Sequence, residues 1–201
     1  MNEEVNESNI LTRLREETAE MHVRMEENRY AEAIMKQSLT MEGYKEYLEK
    51  FYGFIKPVER IISNRYNSNI LGFDAAGRGK AKLLEEDLLA LGVTREELTG
   101  MTTCERLPDV SSIPGLVGYL YVMEGSTLGG LVITKQLKKF LPINEESNGR
   151  YFYSYGQEVR PKWNEFREWV LELQLTPEQN EMITSAAKET FDLLYRWVEG
   201  E

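Results

Sequence analysis

Residues 119–131 of the chain have the sequence Tyr-Leu-Tyr-Val-Met-Glu-Gly-Ser-Thr-Leu-Gly-Gly-Leu. They lie within a longer segment, 112–141, whose composition predicts a helix. Glycine costs a helix about 1 kcal/mol relative to alanine. The glycines at Gly125, Gly129 and Gly130 therefore need a compensating reason.

Two interpretations of this glycine-rich segment remain open. Gly118, Gly125 and Gly129 share one helix face. A face without Cβ atoms lets the backbone lie flat on a planar ligand or bend over it. The same pattern also occurs where two helices pack closely through small residues. The sequence does not separate a ligand-covering face from a packing face.

His22 is the only histidine, and it belongs to an earlier amphipathic segment. Apolar and small residues recur there at steps of three and four and predict one buried helix stripe: Leu11, Leu14, Thr18, Met21 and Met25. His22 lies at the border of this stripe, where a side chain can reach into a cleft. Neutral imidazole is a common axial ligand of heme iron. The alternative is an ordinary, partly exposed histidine. Together with the glycine-rich helix, however, His22 suggests a heme held between the imidazole and the glycines.

The rest of the pattern predicts further helices and no clear strand. The fold class is therefore all-α, a single domain over residues 1–201 in which 1–8 are expected to be flexible. Thr40 is expected to cap a long helix that contains Pro57 and is kinked by it. The other helices are predicted at 80–91, from a capping box at Thr94, at 158–175, and from a second capping box at Thr176 to about Glu199. Loops are predicted at 67–79, 103–110 and 143–156.

Composition restricts the partners. The formal net charge of −10 disfavours binding to nucleic acid or to an anionic membrane. With Cys104 as the only cysteine, neither an intrachain disulfide nor a cysteine metal cluster is expected. The start of the chain lacks the features of a signal peptide, and no uninterrupted apolar run reaches bilayer length. We expect a cytoplasmic protein.

Three segments resemble the heme oxygenase family in the right order along the chain. Residues 14–26, with His22, are similar to the proximal helix, and 125–130 to the distal glycine motif. Residues 175–177 and 187–191 are similar to the last helix. The residues around the Gly-Ser step resemble the bacterial branch associated with phytochrome chromophore supply. The resemblance implies a multi-helix bundle that binds heme.

On the proximal side, this resemblance implies that His22 is the axial iron ligand and that Glu26 is the acidic residue one turn later. Arg15 and Arg167 fall where the family places basic partners for the heme propionates. Phe191 resembles an aromatic residue of the pocket wall. Solvated helix faces for the arginines and a plain core position for Phe191 are the alternatives.

On the distal side, Gly125, Gly129 and Gly130 are implied to contact heme, with Gly125, Ser126 and Gly129 as the catalytic positions. Many members carry aspartate where this chain has Ser126. A serine hydroxyl can hold water but cannot supply a carboxylate. The source of protons is therefore left open.

The resemblance implies that heme is both cofactor and substrate and is cleaved with dioxygen to biliverdin, carbon monoxide and ferrous iron. Electrons must come from an external ferredoxin, flavodoxin or reductase, because no dinucleotide-binding motif is present. Residues 72–80 superficially suggest a phosphate-binding loop, but their spacing is wrong and no Ser or Thr follows the lysine.

Three alternatives are considered. The first is a heme carrier of the same fold that does not oxidise heme, which Ser126 keeps possible. The second is another helical enzyme, either a di-iron oxidase or a thiaminase-like hydrolase. One histidine cannot supply a di-iron site. The hydrolase needs a cysteine nucleophile, but Cys104 lies in a predicted loop without a nearby histidine. The third is a helical partner protein that binds no heme.

Overall fold

A computed structural model describes residues 9–66 and 72–201, and the regular elements within these ranges are all helical. The expected all-α fold is confirmed. Residues 1–8 and the first part of the predicted 67–79 loop lie outside the described ranges. The helices are α1 (Ile10–Glu17), α2 (Ala19–Glu26), α3 (Arg29–Met35), α4 (Met41–Arg65), α5 (Ala81–Ala90), α6 (Arg95–Gly100), α7 (Ile113–Leu137), α8 (Arg150–Tyr153), α9 (Val159–Glu172) and α10 (Pro177–Glu199).

The predicted first helix is divided at Thr18 into α1 and α2. The Thr18 hydroxyl donates a hydrogen bond to the carbonyl of Leu14 at 2.7 Å. A threonine that bonds back to its own helix in this way often bends it. The amide of His22 still donates to the carbonyl of Thr18 at 2.9 Å, so α2 continues directly from the bend.

Helix α4 is capped by Thr40 as predicted, and it continues through Pro57. Proline has no amide hydrogen, so the carbonyl of Gly53, four residues earlier, loses its helical donor. The amide of Cys104 donates to that carbonyl instead, at 3.0 Å. A Cβ on Gly53 would lie 2.6 Å from the Thr102 carbonyl oxygen and 2.8 Å from Trp197. The loop after α6 can approach α4 because residue 53 is glycine.

Helix α7 runs through the core and packs on α10. Its length and a mean hydropathy of 1.4 over an 18-residue window would allow it to cross a membrane, but 56% of that window is buried inside the protein. No uninterrupted apolar run of that length is present, because Glu124 and other polar residues interrupt the helix, but the average over the window is nevertheless apolar. The glycines and threonines of α7 lower its mean hydropathy, but not below the range of membrane-spanning helices. Burial of this kind is typical of a core helix.

The predicted 143–156 loop contains the short helix α8. Asp87 explains why a turn of helix forms there. Its buried carboxylate accepts the amide hydrogens of Arg150 at 2.9 Å and Tyr151 at 2.8 Å, which satisfies donors at the start of the helix. Helix α3 was also not predicted; Asn28 caps it by accepting the amide hydrogens of Tyr30 and Ala31. Both capping boxes, at Thr94 and at Thr176, are confirmed.

Candidate functional site

Helix α2 presents His22 on an open surface. None of the residues of α2 is buried, and the His22 side chain is 56% exposed. Its Nδ1 lies 3.6 Å from the Glu26 carboxylate, and its ring meets the buried Phe191 ring edge-on at 6.1 Å between centroids. Within the described part of the chain, no hydrogen bond or ion pair involves the second ring nitrogen, Nε2.

Helix α10 runs parallel to the segment that carries His22 and contacts it through charged side chains. Near the start of the contact, Lys188 pairs with Glu17 of α1 at 2.5 Å. Farther along both helices, the Arg24 guanidinium lies 3.4 Å from Asp192 and 4.0 Å from the centre of the Tyr195 ring. Ion pairs and a cation–π contact therefore flank His22 on both sides in sequence. They fix the α2 backbone while leaving the imidazole uncovered.

The glycines of α7 fall into two groups. A Cβ on Gly129 would meet no atom within 4 Å, and a Cβ on Gly125 would make only ordinary contact with Trp163 at 3.8 Å. In contrast, a Cβ on Gly118 would lie 2.7 Å from the amide nitrogen of Ala187. A Cβ on Gly130 would collide with the carbonyl oxygen of Phe152.

The packing interpretation of the glycine pattern therefore accounts for some of these glycines and not for others. Gly118 and Gly130 are required for close packing of the chain. Gly130, predicted to contact heme, has its Cβ direction filled by the segment that contains Phe152, so packing explains that glycine. Gly125 and Gly129 form the open part of α7, called here the glycine face, and packing does not explain Gly129.

Apolar side chains are exposed beside His22 and the glycine face. Val23 follows His22 on α2 and is 51% exposed. Leu128 and Val132, on the same side of α7 as the glycine face, are 37% and 55% exposed. Exposed apolar groups rimmed by polar residues are typical of ligand-binding clefts. Individual residues of this set could not be identified from the sequence, because the same letters occur in buried stripes.

Tyr121 of α7 is partly buried and lies one turn before Gly125. Thr18 and Arg15 act on its hydroxyl and lower its pKa, against the larger effect of burial. The Tyr121 ring also packs 5.9 Å from the ring of Trp163. Burial raises the pKa of the Tyr121 hydroxyl, so it remains protonated at neutral pH.

The remaining predicted residues lie at the surface. Arg15 on α1 and Arg167 on α9 are exposed, and neither forms an ion pair within the described ranges. Ser126 is exposed on α7, and its hydroxyl donates to the carbonyl of Met123 at 2.8 Å. Because its hydrogen is used within the helix, the Ser126 oxygen is free only as an acceptor in this arrangement.

An ion-pair cluster that was not predicted from the sequence lies immediately before the glycine face. The Glu124 side chain is 1% exposed. Its carboxylate accepts hydrogen bonds from Arg78 at 2.5 Å, from Lys80 at 3.0 Å and from the Tyr155 hydroxyl at 3.0 Å. Arg78 also donates to Glu165 at 2.6 Å. A glutamate within an apolar helix was the available signal, but its partners come from distant parts of the chain.

Comparisons with known proteins agree with this fold. The sequence model of the family described as heme oxygenase matches residues 8–200. Among solved structures, a heme oxygenase from Leptospira interrogans has 22% identity and a TM-score of 0.81, covering 96% of this chain and 100% of that one. The Neisseria meningitidis heme oxygenase, with NO or CO bound, has 21% identity and a TM-score of 0.73, covering 95% and 92%. A heme oxygenase from the cyanobacterium Synechocystis in complex with heme has 16% identity and a TM-score of 0.75, covering 96% and 92%. No curated protein sequence matches the chain.

Proposed function

Since the chain belongs to the heme oxygenase family, we propose that its heme lies between His22 and the glycine face, with the iron bound to Nε2 of His22. As a heme oxygenase, the chain degrades heme to biliverdin, and heme is both its cofactor and its substrate. The observation that carries the proposed location is the open surface at Gly129, where no atom lies within 4 Å of a Cβ position. A planar ligand is a reason for glycine there.

The residues present fit heme. The exposed Val23, Leu128 and Val132 would be covered by a porphyrin, and the unpaired Arg15 and Arg167 can each pair with a propionate. The Phe191 ring, held edge-on to His22, limits rotation of the imidazole. Bound heme supplies the iron and the oxidisable ring, while the chain supplies orientation and the exclusion of competing reactions.

Glu26 has a distinct part in this arrangement. A carboxylate beside the second nitrogen of a metal-bound imidazole fixes the tautomer and raises the basicity of the ligand. The 3.6 Å separation between Glu26 and Nδ1 supports that role. We propose that the Nδ1 hydrogen points towards Glu26 and that Nε2, free of its hydrogen, binds iron.

Ser126 occupies a catalytic position without a carboxylate. We propose that its oxygen accepts a hydrogen bond from water on the glycine face, since its own hydrogen is committed to Met123. Ser126 therefore orders water but does not provide protons. Because Gly129 has no side chain, space remains beside it for both dioxygen and that water.

Dioxygen and an external electron donor complete the proposed reaction. The net charge of −10 suits a donor that presents a basic surface. We propose a cytoplasmic location. Association with phytochrome chromophore supply stays a prediction from the residues around Gly125.

The test is a spectroscopic heme titration of the wild type against His22→Ala, followed by chromatography of the bilin formed with reductant. The chain has no other histidine, so we expect histidine ligation and biliverdin formation to be lost together. A histidine-ligated spectrum in His22→Ala would contradict the assignment. Wild-type protein that binds heme but forms no bilin would contradict the activity.

A further inference from the structure

The hydroxyl of Tyr119 is buried without a hydrogen-bond partner. Tyr119 lies on α7 and is 2% exposed, and no described group accepts from or donates to its Oη. An unsatisfied buried hydroxyl lowers the stability of a folded protein. Such groups are rare and call for an explanation, commonly an internal water.

A small cavity adjoins this hydroxyl. It offers about 10 Å³ to the centre of a water molecule, which is close to the minimum of roughly 10–15 Å³ that one water needs. Most of its lining is apolar, but five residues with polar side chains also border it: Glu59, Arg78, Lys80, Tyr119 and Glu124. A water in this space would take its hydrogen bonds from these polar groups.

The carboxylates beside the cavity have capacity for another donor. Glu59 accepts the amide hydrogens of Lys80 and Ala81 at the start of α5, at 2.5 and 3.0 Å. Each carboxylate oxygen can accept more than one hydrogen bond. Tyr119, Glu59 and Glu124 border the same cavity, and burial, with smaller effects of nearby charges, raises the pKa of Tyr119. Its neutral hydroxyl can therefore donate towards the carboxylates through one water.

We propose that one internal water occupies this cavity and joins the Tyr119 hydroxyl to the carboxylates of Glu59 and Glu124. The water completes a network that ties α7 to α4 and to the start of α5. Glu124 directly precedes Gly125, so the network fixes the position of the glycine face relative to α4 and α5. Tyr119 is thereby a positioning residue for the bound heme, a second step that rests on the proposed function.

The water itself is tested on heme-free protein by equilibrium unfolding of Tyr119→Phe. If the hydroxyl bonds to water, its removal should lower the folded-to-unfolded ratio about 3- to 10-fold. Tyr44→Phe is the matched control, because the Tyr44 hydroxyl donates directly to the Asn148 carbonyl at 2.7 Å, and its removal should act in the same direction. A more stable Tyr119→Phe protein would overturn the proposal, since deletion of an unpaired hydroxyl removes the cost of burying it without a hydrogen bond.

A crystal structure of the heme-free wild type provides the direct check. We expect one water within about 3 Å of Tyr119 Oη and of a carboxylate oxygen of Glu59 or Glu124. A well-resolved but empty cavity would refute the water. Both heme-free experiments stand or fail independently of the assigned activity.

The positioning role is tested on heme-loaded protein by the pH dependence of the ferric visible spectrum. A displaced glycine face changes the electrostatic field on the open side of the iron. Tyr119→Phe should therefore shift the midpoint of this titration, whereas Tyr44→Phe, which also loses a buried hydrogen bond, should not. Equal midpoints in the wild type and Tyr119→Phe would refute positioning and leave the water in place.

Discussion

Alanine substitutions along α7 should separate ligand-covering glycines from packing glycines by the sign of their effect on stability. Gly129 lies within a helix and has open space at its Cβ position. Gly129→Ala should therefore stabilise the heme-free protein by about 1 kcal/mol, through helix propensity alone. For a domain of this size, that corresponds to a rise in Tm of roughly 2–4 °C.

Gly118→Ala should have the opposite effect. Its Cβ would lie 2.8 Å from the Ile183 carbonyl oxygen and 2.7 Å from the Ala187 amide nitrogen. These are backbone atoms of α10, which cannot turn aside as a flexible side chain can. Overpacking of this kind costs about 1–3 kcal/mol, which exceeds the gain in helix propensity, so the Tm should fall.

The ligand function of the glycine face is measured separately, with Gly129→Leu. Leucine is a good helix former and meets open space in the heme-free protein, so the fold should be retained. In the heme-loaded protein its side chain would occupy the space assigned to heme and dioxygen. We expect heme affinity to fall on the order of tenfold or more, equivalent to at least about 1.4 kcal/mol.

Chemical denaturation, heme titration and bilin formation measure these effects. Gly118→Ala serves as the contrast: at low denaturant, its folded fraction should still bind heme normally. Loss of stability in Gly129→Ala would show that the position is not open. Wild-type heme affinity and turnover in Gly129→Leu would show that heme lies elsewhere.

Three further predictions follow from other parts of the structure. Glu26→Gln should keep His22 as the iron ligand but raise the heme reduction potential in spectroelectrochemistry, because a less basic imidazole stabilises ferric iron less; an unchanged potential would exclude Glu26 as its partner. Burial raises the pKa of Asp87 from its ordinary range near 4 to about 6, so ionising it opposes folding, and stability should fall as pH rises from about 4 through 6, by up to about 3 kcal/mol. Unfolding curves for Asp87→Asn should lack this component, and an equal slope in both proteins would contradict it. Gly53→Ala should lower the free energy of unfolding by about 1–3 kcal/mol, because its Cβ would meet Thr102 and Trp197; unchanged thermal unfolding would argue against that close approach.

Local signals in the sequence were sufficient for most of the helices. Thr40, Thr94 and Thr176 cap helices as predicted, because a cap depends on residues within one turn of it. Helix α8 was missed because the carboxylate at its start, Asp87, comes from a distant helix. The bend at Thr18 depends on a single side-chain hydrogen bond, which periodicity does not reveal.

The candidate site divides in the same way. The sequence identified His22 and the glycines of α7 and, through their resemblance to known motifs, the family. It could not distinguish Gly129 from Gly118, because both are glycines in one helical pattern. What faces each of them, open space or the backbone of α10, depends on how distant helices pack.

The sequence alone determined the helical architecture, the single histidine and the glycine pattern on which the proposed heme site rests. Only the tertiary structure decided which glycines are open and that Glu124 is buried with Arg78 and Lys80. The physical reason is range: helix formation is governed by neighbours within a turn or two, whereas a cleft and a buried ion cluster are made by residues far apart in the chain.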